Sequence, residues 1–111
     1  MQKNEPIKGS TPMLVLRLLS QRPMHGYEII KTIEVASSGV FTLNEGTLYP
    51  ILHSLEHDGL VTAQWEGETN RKRKVYALTP QGGKALREKQ QEWERARNAV
   101  DAVMGGESHA Y

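Results

Sequence analysis

The stretch LNEGTLYPILHSLE, residues 43–56, decides the fold because its apolar residues recur at helical spacing. One face of the resulting helix, which Asn44 is placed to cap, is apolar and holds Leu48, Ile51, Leu52 and Leu55. At about 100° per residue the opposite face is small and polar and has no Lys or Arg; it holds Gly46, Pro50, His53 and His57, with Tyr49 and Ser54 at its flanks. Such a face is typical of a helix that enters the major groove of DNA.

Pro50 lies in the second turn of this predicted helix. Proline cannot donate a hydrogen bond to the carbonyl of Gly46, four residues earlier. Since a glycine at that position reduces the steric clash, the sequence predicts a slight bend and not a break.

A hairpin with a basic tip follows the helix. Residues 60–66 and 74–79 alternate apolar and polar side chains, which predicts two strands. Between them the polar turn Gly67-Glu68-Thr69-Asn70 leads into four consecutive bases, Arg71, Lys72, Arg73 and Lys74. A groove-facing helix followed by a basic hairpin predicts a winged helix-turn-helix whose wing binds phosphate.

The composition is that of a small protein without redox or membrane features. The chain has 111 residues, a net charge of +1 and no cysteine. We therefore expect one domain without disulfide bonds. Positive charge is clustered in residues 71–74 and in the N-terminal part of the chain, at Lys3, Lys8, Arg17 and Arg22. The longest early apolar run, 13–19, is too short to cross a membrane, and no cleavage site follows it. The sequence therefore predicts a cytoplasmic protein with no membrane partner.

Two helices are predicted before residue 43, after a polar arm at residues 1–9. Thr11 and Pro12 start the first, with Thr11 as the N-cap, and Gln21-Arg22-Pro23 ends it. This helix is apolar nearly all round, so we expect a second subunit to bury Leu14 and Leu18. The second helix runs from about His25 to Ala36, where Ser37-Ser38-Gly39 ends it, and its buried stripe consists of Ile29, Ile30 and Ile33, with Tyr27 alongside.

The last helix is predicted to mediate dimerisation. Thr79-Pro80 starts it and it continues to about Met104, before a tail of five disordered residues. An apolar seam with heptad spacing, broken by Lys89, consists of Leu86, Trp93, Ala96, Val100 and Val103. A narrow seam on a polar helix has little of its own domain to pack on, so a symmetric partner is expected. The chain thus divides into a DNA-binding domain with its N-terminal arm, residues 1–79, and a dimerisation helix with its tail, residues 80–111.

Trp93 has two interpretations. It either packs in the dimer core or forms the wall of a cavity between the subunits, where the small Ala96 leaves room for a flat aromatic molecule. Lys89 and Arg97 lie four residues to either side on the same helix face, which favours a neutral or anionic ligand. The predicted effector-binding residues are therefore Lys89, Trp93, Ala96 and Arg97.

Three motifs resemble those of the PadR family of bacterial transcriptional regulators. They are MHGYEI at residues 24–29, EGTLYP at 45–50 and KVYALTPQG at 74–82. The resemblance covers roughly residues 9–87, and the single C-terminal helix is similar to that of the short members. It implies a homodimeric winged-helix repressor that binds a palindromic DNA operator and is released by a small molecule.

The predicted DNA contacts come from both the helix and the wing. The residues are Thr47, Tyr49, Pro50, His53, His57, Asn70, Arg71, Lys72, Arg73 and Lys74. Tyr49 is expected at a phosphate, although Tyr27 and Tyr49 could also be core residues. His25 is expected to form a structural hydrogen bond at a helix start.

Other functions have less support. His53 and His57 could share a metal, but no third ligand is evident, so no metal and no cofactor are predicted. No nucleophile or acid–base pair is arranged as an enzyme requires. A winged helix can also serve as a protein-interaction module that does not bind DNA, but the basic wing favours DNA.

Overall fold

The computed structural model describes residues 10–105. This part of the chain forms α1 (Thr11–Leu19), β1 (Met24–His25), α2 (Gly26–Ala36), α3 (Glu45–His57), β2 (Val61–Glu66), β3 (Arg73–Leu78) and α4 (Pro80–Val103). The predicted fold, mainly helical with a small hairpin wing, is confirmed. The predicted arm and the predicted disordered tail lie outside the described residues.

The start of α1 differs from the prediction by one residue. Ser10 occupies the N-cap position, and its carbonyl accepts the first helical hydrogen bond from the Leu14 N–H at 3.1 Å. Thr11 is instead the first helical residue and is buried, so its prediction as the cap is wrong. The helix ends at Leu19, before the predicted Gln21-Arg22-Pro23 segment, and the Ser20 hydroxyl donates to the carbonyl of Arg17.

The sheet has one strand more than the sequence predicted. Its order is β1-β3-β2, and β1 pairs antiparallel with β3, Met24 opposite Tyr76 and His25 opposite Val75. A strand of two residues is too short to show alternation, so no local pattern could predict it. The pairing joins the start of α2 to the wing.

The predicted buried stripe of α2 is correct for Ile29 and Ile33, and Ile30 is half-buried. Tyr27 does not join them, because its side chain is 60% exposed. Two residues along a helix correspond to about 200°, which places Tyr27 away from Ile29. The predicted core position of Tyr27 is therefore wrong.

The first half of α4 belongs to the core of the chain. Thr79 caps the helix as predicted, with its hydroxyl accepting the Gly82 N–H at 2.9 Å. Leu86 is only 5% exposed and belongs to the core cluster, whose other members come mainly from α1, α2, α3 and the sheet. Leu86 is therefore wrongly placed in the dimer interface, because α4 has more of its own domain to pack on than its polar sequence indicated. The division into residues 1–79 and 80–111 stays a prediction.

Candidate nucleic-acid interface

The exposed face of α3 is the one the sequence predicted. Leu48, Leu52 and Leu55 are buried, and the Asn44 side chain accepts the Thr47 N–H at 2.9 Å. The helix continues through Pro50 without a break. The exposed residues of α3 are Glu45, Gly46, Pro50, His53, Ser54 and His57. The helix therefore presents a polar surface without Lys or Arg, beside the sheet that carries the wing.

Tyr49 and the two histidines of α3 have different surroundings. The hydroxyl of Tyr49 lies against Gly26 in the first turn of α2, where a Cβ would come within 2.9 Å of the tyrosine Cζ. Tyr49 is half-buried, and its ring centroid lies 6.3 Å from that of His53. His57 is 89% exposed, with Nδ1 3.4 Å from the Asp58 carboxylate. The phosphate contact of Tyr49 stays a prediction, and the absence of a Cβ at Gly26 leaves room for the Tyr49 hydroxyl.

The basic run divides into two pairs. Arg71 and Lys72 are exposed in the loop that joins the two wing strands. Arg73 and Lys74 are the first residues of β3, and each has a neighbour within the chain. The Arg73 guanidinium lies 3.0 Å from Nε2 of His25, and the Lys74 ammonium lies 5.9 Å from the ring centroid of Trp65.

A polar cluster at the start of α2 was missed by sequence reasoning. His25 caps the helix, and its Nδ1 accepts the Glu28 N–H at 3.3 Å; its predicted structural role is thus confirmed. Partial burial opposes ionisation of the Glu28 carboxyl, but the hydrogen bond and charge of Arg22, with a smaller effect of His25, hold its pKa below the usual range. Arg73 joins this cluster from a position 48 residues further along the chain, which no local pattern could indicate.

Tyr76, in β3, is a buried polar residue. Its hydroxyl finds no hydrogen-bond partner within residues 10–105. Burial raises the pKa of Tyr76, and Tyr49 and Glu56 raise it further. The phenol is therefore held neutral in the core.

The predicted dimer residues lie along α1 and α4. Leu14 and Leu18 are half-buried and line an apolar groove of about 320 Å³. A second pocket of about 230 Å³ adjoins it, and Trp93 forms part of its wall with Met13, Leu14 and Phe41. Trp93 is thus half-buried against its own chain.

The second half of α4 stands clear of the rest of its chain. All residues from 94 to 105 are exposed, including Ala96 and Arg97. Val100, Val103 and Met104 are among the most exposed large apolar side chains of the described residues. Lys89, one turn before Trp93, is half-buried.

The described residues provide neither a cluster of metal ligands nor a membrane-spanning helix. Between residues 10 and 105 no three His, Asp or Glu side chains are grouped closely enough to hold a metal ion. Within the same range, no helix has the length and apolar character needed to span a bilayer.

A helix-turn-helix followed by a two-stranded wing defines a winged-helix protein. Residues 15–88 match the family model described as "Transcriptional regulator PadR-like family". The chain belongs to this family of transcriptional regulators, as its three motifs predicted.

Named relatives and a solved structure agree with this assignment. The chain is 36% identical over 102 residues to the transcriptional regulator Rv3488 of Mycobacterium tuberculosis, covering 92% of this chain and 90% of the relative. It is 34% identical over 98 residues to the transcriptional regulator YqjI of Escherichia coli, covering 88% of this chain but only 46% of that protein. A transcriptional regulator from Clostridium thermocellum superposes with a TM-score of 0.82 at 31% identity, covering 86% of this chain and 94% of that one.

Proposed function

We propose that the protein is a repressor that binds a palindromic DNA operator as a homodimer. The observation that carries the proposal is the exposed polar face of α3, with the basic residues of the wing beside it. In this arrangement α3 of each subunit enters the major groove, and the wing binds phosphates of the adjacent backbone. The repressor role and the palindrome follow from the family resemblance and from two-fold symmetry.

The dimer is supported by the apolar residues that the chain itself does not cover. The exposed half of α4 presents Val100 and Val103, and α1 presents Leu14 and Leu18 along the groove. A two-fold partner would bury these residues together with Trp93 and Ala96. Leu86 is excluded from the proposed interface because the chain already buries it.

A titration against double-stranded DNA tests the proposed function. The wild-type protein should shift a duplex of about 30 base pairs, long enough for two half-sites one helical turn apart, at low salt and with two chains per duplex. Failure to bind any duplex at low salt would contradict DNA binding and favour a protein-interaction module.

The exposed histidines of α3 predict a contribution to operator recognition. His53 and His57 are the long donors on a face without Lys or Arg. Changing both residues to Ala is therefore expected to weaken binding to the operator more than binding to a random duplex, since contacts in the groove carry sequence information. An operator affinity equal to that of the wild type would show that these histidines do not contact DNA.

We also propose a small aromatic effector that binds at Trp93. Its support is the pocket that Trp93 forms with α1 and Phe41, together with Lys89 and Arg97 four residues to either side. A neutral or anionic aromatic compound in the cavity between subunits would contact the indole. Such binding would compete with the packing of α4 on its partner and so weaken operator binding.

Fluorescence tests the effector site. Neutral or anionic aromatic compounds are expected to quench Trp93 and to weaken operator binding. The Trp93→Ala protein should still bind DNA but no longer respond to the compound. Trp65, 63% exposed on the wing, remains as an internal reference. Quenching that persists in Trp93→Ala would place the pocket elsewhere, and a monomeric variant would show that Trp93 belongs to the dimer core.

A further inference from the structure

The hydrogen bonds of His25 cannot all form at once. Its Nδ1 accepts the Glu28 N–H at 3.3 Å, and its Nε2 lies 3.0 Å from Nη1 of Arg73. A neutral imidazole has one N–H and one acceptor nitrogen. If Nδ1 accepts from the backbone, Nε2 carries the proton. Two donors, the His25 Nε2–H and the Arg73 guanidinium, then face each other.

The acceptors already present do not resolve this conflict. The nearest carboxylate oxygen, Oε1 of Glu28, is 3.8 Å from Nε2, beyond hydrogen-bond distance. The other oxygen of Glu28 is paired with Arg22. The opposite tautomer would let Nε2 accept from Arg73, but it would turn an Nδ1–H toward the Glu28 N–H and break the cap of α2. Each tautomer therefore leaves one pair of donors without an acceptor between them.

We propose that a DNA backbone phosphate is the missing acceptor, held jointly by His25 and Arg73. A phosphate oxygen would accept from Nε2–H and from the guanidinium while Nδ1 continues to cap α2. The site suits an anion because the Arg22–Glu28 pair is neutral and Arg73 adds one positive charge. Arg73 is exposed, and 21% of the His25 side chain is accessible, so a phosphate can reach both donors.

This assignment gives His25 a second role and the wing a defined position. One phosphate would join the start of α2 to the first residue of β3, and so set the wing relative to α3. The proposal rests on the proposed function, since it requires that the chain binds DNA.

The variant His25→Asn separates the two roles of the residue. Asparagine is a favoured N-cap whose side-chain oxygen can accept the backbone N–H, but it has no donor at the position of Nε2. We expect an unchanged unfolding temperature and binding about a hundredfold weaker to a fluorescent random duplex, since each of the two subunits loses one hydrogen bond to a charged group, at about tenfold per bond. The salt slope should not change, because this substitution leaves Arg73 and the other cations of the wing in place.

Arg73→Gln is the companion variant. It should weaken binding and reduce the salt slope by about two units, at about 0.9 per phosphate contact in each of two subunits. If both residues hold the same phosphate, the double variant should bind little more weakly than Arg73→Gln alone. The matched control is Arg95→Gln, which removes an exposed charge from α4. It should leave both the affinity for DNA and the salt slope unchanged.

The site in which His25 and Arg73 hold one phosphate is called the clamp below. The outcomes of these experiments distinguish a failure of the clamp from a failure of the proposed function. Wild-type DNA binding with unchanged affinity in His25→Asn would overturn the clamp and leave the function intact. No duplex binding by the wild type would overturn both. If His25→Asn does not fold, ¹⁵N spectra of the wild-type imidazole decide. A proton on Nε2 that becomes protected from exchange when DNA is added supports the clamp, and a proton on Nδ1 contradicts it.

Discussion

Replacing Arg71, Lys72, Arg73 and Lys74 with alanine is expected to remove about seven units from the slope of log K against log salt. The figure corresponds to four phosphate contacts in each of two subunits at about 0.9 per contact. The exposed face of α3 has no Lys or Arg to replace them, so most of the electrostatic affinity should be lost. The affinity for operator and for random DNA duplexes should fall by the same factor, because phosphate contacts carry little sequence information.

Fluorescence anisotropy with operator and random duplexes, between about 50 and about 200 mM salt, measures this slope. The matched control removes the same number of positive charges from α4. It replaces four exposed residues with alanine: Lys84, Arg87, Arg95 and Arg97. The control should retain nearly the wild-type slope. An unchanged slope in the wing variant would refute the assignment of the wing to DNA.

Adding a methyl group at Gly82 is expected to destabilise the protein by about 2 kcal/mol or more, since overpacking commonly costs about 1–3 kcal/mol. The first turn of α4 lies on the connection before the wing, where the Thr79 N–H donates to the Leu60 carbonyl at 3.1 Å. A Cβ at position 82 would overlap the Leu60 carbonyl oxygen and lie 2.7 Å from Cδ1 of Leu78. Neither the backbone of Leu60 nor the capped turn can move without loss of hydrogen bonds, so Gly82→Ala should lower the free energy of unfolding.

The neighbouring glycine provides the control. At Gly83 a Cβ would find its nearest contact at 3.8 Å, an ordinary van der Waals distance. Gly83→Ala should therefore raise the free energy of unfolding by up to about 1 kcal/mol, the helix preference of alanine over glycine. Urea denaturation of both variants measures the difference, and equal stabilities would show that the contact at Gly82 is not tight.

The groove-facing helix could be predicted from sequence because its determinants are close together in the chain. Asn44 caps the amide of Thr47, three residues away, and Leu48, Leu52 and Leu55 are related by turns of one helix. The start of α4 at Thr79 was predicted for the same reason. The two strands of the wing were predicted from their own alternation of apolar and polar residues, which is also a local pattern.

The assembly of the site depended on tertiary structure. His25 meets Arg73 across 48 residues, and β1 exists only because it pairs with β3.

The sequence by itself therefore determined the four helices and the two wing strands, the caps at Asn44 and Thr79, the polar face of α3 and the family. Tertiary structure alone decided that Leu86 lies in the core and that two bases of the wing have partners within the chain. The physical reason is that caps and helical periodicity act over a few residues, whereas burial and polar pairing depend on which elements pack together.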